Sequence, residues 1–221
     1  MQIAFLHTLS ANQTLFDLFI ASSGLEKRVS IRHYCAPKLL QHAREVGIDD
    51  ELAAMVEQQI VLLEEQGADW IICTCSSIGA LAEQAKTRFA QAMRVDRPMA
   101  IEVSQSGHIK VLVALETTII PTMNLLAEYD ADIVQRATVE VIPKAWPDYL
   151  AGDNEAYLTT IVQYINDHCE NDSRIVLAQA SMAPAILHLD QATRQRILTS
   201  PSLCLDYLLA DLENNDVGDS Q

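Results

Sequence analysis

The residues best suited to chemistry in this 221-residue chain lie where short apolar runs give way to small hydroxyl residues. Residues Asp69 to Gly79 read DWIICTCSSIG: an apolar stretch that stops at Cys75, with Ser76 and Ser77 opening the segment behind it. A thiol there faces backbone N–H groups and the positive end of the helix expected to follow, which should lower its pKa and supply a thiolate. Cys75 is therefore read as the nucleophile or proton carrier, against the competing reading of an inert cysteine at a buried strand end. Thr74, Ser76 and Ser77 are the matching candidates to hold a small anion. Cys73 raises a metal clip or redox pair as an alternative, but no Cys or His pair at zinc spacing joins it, so no metal site is expected.

Two further handovers carry reactive types. Val176 to Pro184 reads VLAQASMAP and offers Gln179, Ala180 and Ser181; Ala114 to Ile119 reads ALETTI and offers Thr117 and Thr118. The threonines suit a carboxylate through hydroxyl and N–H donors, and equally suit plain N-caps. His7 closes the first apolar run, either as a substrate contact or as a packed, hydrogen-bonded histidine.

These positions need elements to hold them. Strands are expected over residues 3–9, 29–34 and 69–75, the last a nearly unbroken apolar run of the kind a parallel strand buried on both faces requires. Leu52, Met55, Val56, Ile60 and Leu63 fall on one face of a helix over Asp49 to Gln66, with Asp49 or Asp50 as N-cap and Gly67 past its end. Ile78, Leu81, Ala82, Ala85, Phe89, Ala92 and Met93 continue at helical spacing toward Pro98. A second set follows: strand 108–115, helix 118–128, strand 139–142, helix 154–167 and strand 174–180. The alternation predicts an α/β fold of two pseudo-symmetric, doubly wound lobes with parallel sheets. Their expected spans are 1–97 and 98–200, with a C-terminal helix over 201–212 that can pack on either lobe, completing the first if it returns there, and a frayed polar tail over 213–221.

Composition bounds the partners. Thirty acidic against fifteen basic residues leave a formal charge of −15, a field that repels nucleic acid and anionic membrane surfaces, and no basic patch offsets it. The segment MQIAFLHTLSANQ lacks a basic start and a long apolar run, so it reads as neither secretory signal nor anchor. Five cysteines without a leader suggest reduced thiols, and the expected location is the cytoplasm.

The Cys75 element, the Ala114 to Thr118 element, and residues 175–184 followed by ILTSPS at 197–202 together resemble the aspartate/glutamate/hydantoin racemase superfamily. The resemblance covers most of the chain. It implies a cofactor-independent enzyme that holds a small carboxylate substrate between two α/β lobes, with one cysteine from each lobe flanking the acidic carbon. By position Cys75 matches the first-lobe cysteine, Ser76 and Ser77 replace the Asn-Thr pair that grips the substrate carboxylate, and Thr118 matches a substrate-binding threonine. Gln179 stands where the second cysteine belongs, and a carboxamide cannot titrate near neutral pH. Ser181, Glu116 or His7 would have to replace it as second acid or base. The expected activity is proton transfer at the carbon next to a carboxylate with Cys75 as acid/base or nucleophile. The alternatives are a decarboxylase or other lyase, a cis–trans isomerase, or a non-catalytic carboxylate binder. A homodimer is the expected assembly.

Overall fold

Residues 3–6 are wholly shielded from solvent, which a strand achieves only with helices packed on both faces of its sheet. In the computed structural model of the chain, which describes residues 1–169 and 173–218, they lie in β1 (Gln2–His7). This strand pairs in parallel with β2 (Ser30–Cys35) and β3 (Trp70–Cys73), and β4 (Gln91–Arg94) pairs with β3, giving the order β2-β1-β3-β4. A second parallel sheet repeats that order with β5 (Ile109–Val113), β6 (Ala137–Val141), β7 (Arg174–Leu177) and β8 (Ile197–Thr199), arranged β6-β5-β7-β8. The fold is α/β with two four-stranded parallel sheets. It divides into two units, Met1–Pro98 with the chain from Pro201 onward, and Met99–Ser200.

The helices are α1 (Ser10–Ser23), α2 (Pro37–Glu45), α3 (Asp50–Glu65), α4 (Gly79–Gln84), α5 (Arg97–Ser104), α6 (Ile119–Tyr129), α7 (Ile133–Arg136), α8 (Ala145–Leu150), α9 (Asn154–His168), α10 (Gln191–Arg194) and α11 (Ser200–Gly218). The Asp49 side chain caps α3 by accepting from the Leu52 N–H at 2.8 Å, and Leu52, Val56, Ile60 and Leu63 form its buried stripe. They pack with Leu39, Leu40, Leu6, Ile71 and Ile78 into the core on one face of the first sheet. Each such side chain contributes about 1.5–3 kcal/mol through burial. In the first unit α11 buries Cys204, Leu205 and Leu208, and sets Tyr207 edge-on against Trp70 at 6.3 Å between ring centroids.

One expectation fails. The stripe from Ile78 to Met93 is not one helix: α4 ends at Gln84 and the chain returns as β4. The cause is Glu64, whose Oε1 accepts the N–H groups of Arg88, Phe89 and Ala90, each at 2.8 Å. This pins a loop that delivers residues 91–94 to the sheet edge and leaves Phe89 exposed. Of the expected tail, residues 213–218 are a continuation of α11 and residues 219–221 lie outside the described residues. Among the described residues no helix is long and apolar enough to cross a membrane.

Candidate functional site

In parallel α/β sheets the chain leaves each strand at its C-terminal end, and chemistry gathers there. The β1–β3 ladder runs one residue past β3, the Thr74 N–H donating to the Leu6 carbonyl at 3.0 Å, and the chain then turns through Cys75 to Ile78 into α4. Gly79 is required at this turn, because a Cβ would stand 2.8 Å from the Cβ of Arg94. Arg94 is itself buried. Its Nε and Nη2 donate to the two carboxylate oxygens of buried Asp96 at 2.6 and 2.9 Å, and Nη2 also reaches the Ser76 carbonyl at 3.4 Å. Burial works against the guanidinium charge, but Asp96 outweighs it and holds Arg94 above its ordinary pKa. The ion pair thus fixes the turn that carries the thiol.

Cys75 is 8% exposed and packs within the apolar core. The Thr8 hydroxyl, the N–H groups of Ser77 and Ile78 and the Ser77 hydroxyl all act to stabilise a negative sulfur. Burial outweighs them, and the thiol stands above its ordinary pKa rather than below it as the sequence suggested. The reason is physical: α4 has only six residues and begins after Ile78, so a short helix acts on a desolvated sulfur. The thiol rests protonated, with donors in place to receive a thiolate. Burial also raises Cys73, whose Sγ–H points to the Cys75 carbonyl at 3.7 Å.

His7 is fully buried with both ring nitrogens engaged: Nδ1 lies 2.9 Å from Thr74 Oγ1 and Nε2 2.8 Å from His33 Nδ1. It therefore supports Thr74 from behind. Burial, reinforced by the neighbouring His33, presses its pKa down to about 3, so the imidazole is neutral. Burial also lowers His33, and Asp17, 3.2 Å from His33 Nε2, partly offsets this.

The second unit has the same strand ends with other chemistry. Gln179 Oε1 accepts the N–H groups of Ala114 at 2.5 Å and Leu115 at 3.2 Å, which ties the end of β7 to the end of β5. Ala180 and Ser181 open a 3-10 helix over Ala180–His188, and Ser181 Oγ lies 2.8 Å from the hydroxyl of buried Tyr157. Burial drives the Tyr157 phenol upward, so it is no base for Ser181. Thr118 is buried at the N-cap of α6 without a side-chain cap bond; Thr117 precedes it half-buried, and Glu116 is exposed.

Sequence reasoning missed Thr8, His33, Arg94 and Tyr157. A signal for His33 existed: residues 5 and 7 of β1 and 33 of β2 share a face once the parallel register Phe5↔His33 is known. Among the described residues, His42, Asp49 and Glu51 are the one group of potential metal ligands, with donor atoms within 4.8 Å of one another. Asp49 there is already committed to capping α3 and to His42 at 3.0 Å.

No protein-family model matches the sequence, and no curated protein matches it. Solved structures do match in fold. The aspartate racemase of Picrophilus torridus superposes with a TM-score of 0.69 at 14% identity, over 95% of this chain and 93% of its own. The glutamate racemase of Thermus thermophilus, solved in complex with β-chloro-D-alanine, gives 0.66 at 16% identity over 97% and 81%. The allantoin racemase of Klebsiella pneumoniae gives 0.58 at 16% identity over 97% and 89%. The chain has the two-sheet α/β fold of these racemases.

Proposed function

We propose that this chain is a racemase-like, cofactor-independent enzyme that moves a proton at the carbon next to the carboxylate of a small carboxylate substrate, with Cys75 as the proton carrier. The observation that carries the reading is the donor set around one sulfur: Thr8, Ser77 and Ile78 stabilise the thiolate that remains once the thiol has given up its proton. Once the thiol has lost its proton to water, the thiolate held by this donor set takes the proton from carbon, leaving an enediolate, and the thiol so formed returns it; with both donors of Ser77 facing the sulfur, Ser76 is the donor assigned to the substrate carboxylate. The fold shared with aspartate and glutamate racemases supports the substrate class.

A second reading has its own support. The β7 end offers a carboxamide and a hydroxyl without a base, so it supplies no second titrating group for two-sided inversion. Decarboxylation needs one proton only. Carbon dioxide departs, its bonding electrons stay on the substrate as an enediolate, Cys75 protonates carbon, and water restores the thiol.

The test is incubation in deuterium oxide with aspartate, glutamate and substituted malonates, comparing the wild type with Cys75→Ala. Deuterium uptake with inversion supports racemisation; uptake without inversion, or release of carbon dioxide, supports one-sided chemistry. Both should fall about 10²–10⁴-fold in the variant. Turnover unchanged by Cys75→Ala, or binding of these acids without any turnover, overturns the proposal.

A further inference from the structure

Behind the cysteine turn, three polar contacts run in series from the buried end of β3 to the surface of α1: Thr74 Oγ1 to His7 Nδ1 at 2.9 Å, His7 Nε2 to His33 Nδ1 at 2.8 Å, and His33 Nε2 to Asp17 Oδ1 at 3.2 Å. The Thr74 hydroxyl has a second acceptor, the Leu6 carbonyl at 3.2 Å. The imidazoles stack in parallel, 5.1 Å between centroids, beside Phe5 and Phe16. The titratable groups on this face, besides the two rings, are Asp17 from α1, in contact with His33, and Cys35 of β2, in register with His7; from β3 the Thr74 hydroxyl reaches the pair.

Counting protons fixes the direction of each bond. Two neutral imidazoles and one hydroxyl carry three protons for the three contacts, and the Asp17 carboxylate can only accept. All contacts are then made in one way: Thr74 donates to His7 Nδ1, His7 Nε2–H to His33 Nδ1, and His33 Nε2–H to Asp17. One further proton gives a second complete arrangement. His33, doubly protonated, donates to Asp17 and to His7 Nε2; His7 donates from Nδ1 to Thr74; and the Thr74 hydroxyl turns to the Leu6 carbonyl. No other atom has to move.

We infer that Asp17, His33 and His7 are positioning residues that form a proton-linked strut, in which one proton taken up at His33 reverses the His7 tautomer and turns the Thr74 hydroxyl beside Cys75. The strut ties the two chain segments that build the sulfur's surroundings, since Thr8 follows His7 and Cys75 follows Thr74. This deepens the proposed function and rests on it for its catalytic meaning, while the switch itself does not depend on that reading.

The test is two-bond proton–nitrogen NMR of the histidine rings in the full-length, nitrogen-15-labelled chain across acidic to neutral pH. At neutral pH both His7 and His33 carry their proton on Nε2. On acidification below the ordinary histidine range, His33 becomes doubly protonated and His7 moves its proton to Nδ1 at the same midpoint. Asp17→Asn, on the exposed side of α1, lowers that midpoint by roughly half to one pH unit, because the imidazolium loses an opposite charge. A His7 tautomer constant across the titration, or two separate midpoints, overturns the inference. The link to the sulfur is read from the pH midpoint of Cys75 alkylation by iodoacetamide, which His7→Phe raises by displacing Thr8. An unmoved midpoint in His7→Phe removes the positioning role. A Cys75 that resists alkylation at every pH counts against the proposed function alone, because the tautomer titration decides the switch by itself.

Discussion

The ends of β3 and β7 hold the same place in sheets of the same strand order, and they are tied to their neighbours in opposite ways. At β3 the cross-strand tie is made by side chains, Thr74 to His7, and the backbone N–H groups of Ser77 and Ile78 turn toward a sulfur. At β7 the tie consumes backbone donors: Gln179 Oε1 takes the N–H groups of Ala114 and Leu115. A fold can keep a mechanical link at a strand end while exchanging which groups remain to meet an anion. On the proposed function the first unit would hold the reacting group, while the second places at the matching end a carboxamide that cannot titrate.

The largest expected effect tests that asymmetry directly. Cys75→Ala lowers deuterium exchange by about 10²–10⁴-fold, whereas Ser181→Ala, whose hydroxyl has only a high-pKa phenol beside it, costs less than about tenfold. Equal losses in both variants, measured as initial exchange rates, would make the two strand ends chemically equivalent and dissolve the contrast.

Next comes the buried pair beside the cysteine turn. Arg94→Leu leaves Asp96 charged and unpaired in the core, and should cost about 3–5 kcal/mol in urea unfolding. The double replacement of Arg94 and Asp96 by leucine should recover most of it. The two tryptophans separate the units as reporters, with Trp70 in the first and Trp146 in the second. The loss should appear in the Trp70 signal; a loss confined to Trp146 would contradict the assignment.

Gln179→Ala strips the acceptor from two backbone N–H groups and should cost about 1–3 kcal/mol, seen this time through Trp146. Gln179→Glu, which retains an acceptor oxygen at the same place, should recover at least half. Equal losses in both would mean that the carboxamide serves packing rather than the tie.

How much of this was legible in the sequence follows from which forces are local. Strands β1 to β3 and β5 to β7, α3 with its Asp49 cap, and Cys75 just past a strand end could be read, because apolar periodicity and capping are written within a few residues; β8, three residues long, carries too short a pattern. The return of residues 91–94 as a strand could not, since it depends on Glu64 reaching 24 to 26 positions along the chain to three N–H groups. The acidity of Cys75 was misjudged for a similar reason. Donors near in sequence argue for a thiolate, whereas burial by Leu6, Cys73 and Ile78 is a property of packing. Gln179 was recognised as unable to titrate, yet its grip on Ala114 and Leu115 required knowing that β5 lies beside β7.

Acid sensitivity should also divide between the units. His7 is held neutral in the folded chain with its pKa near 3, while the unfolded chain titrates near 6.5, so unfolding takes up a proton between these values. Stability from this source is complete above pH 6.5 and declines as pH falls toward 3, by about 1.4 kcal/mol per pH unit. His108, His168 and His188 of the second unit are exposed and supply no comparable buried group. Above the carboxylate range, where Glu140 and Asp190 of the second unit do not yet take up protons, the acid loss should therefore be carried by Trp70 and be reduced in His7→Phe. A slope of the same size in that variant would assign it to other groups of the first unit, Glu64 among them, whose carboxylate the three N–H donors hold below its ordinary pKa.

The smallest effect concerns the edge strands. After β4 the first unit buries a paired guanidinium and carboxylate; after β8 the second buries Ser200, whose Oγ finds no hydrogen-bond partner among the described residues. A buried hydroxyl left unsatisfied costs stability, and its removal leaves only a small void. Ser200→Ala should accordingly be neutral or stabilise the chain by up to about 1 kcal/mol, opposite in sign to Arg94→Leu at the matching edge of the first sheet. A loss of more than about 1 kcal/mol in urea unfolding would exceed what a satisfied hydroxyl contributes at this site. The edges of the two sheets would then be alike in relying on polar bonds, and the contrast would hold only at β3 and β7.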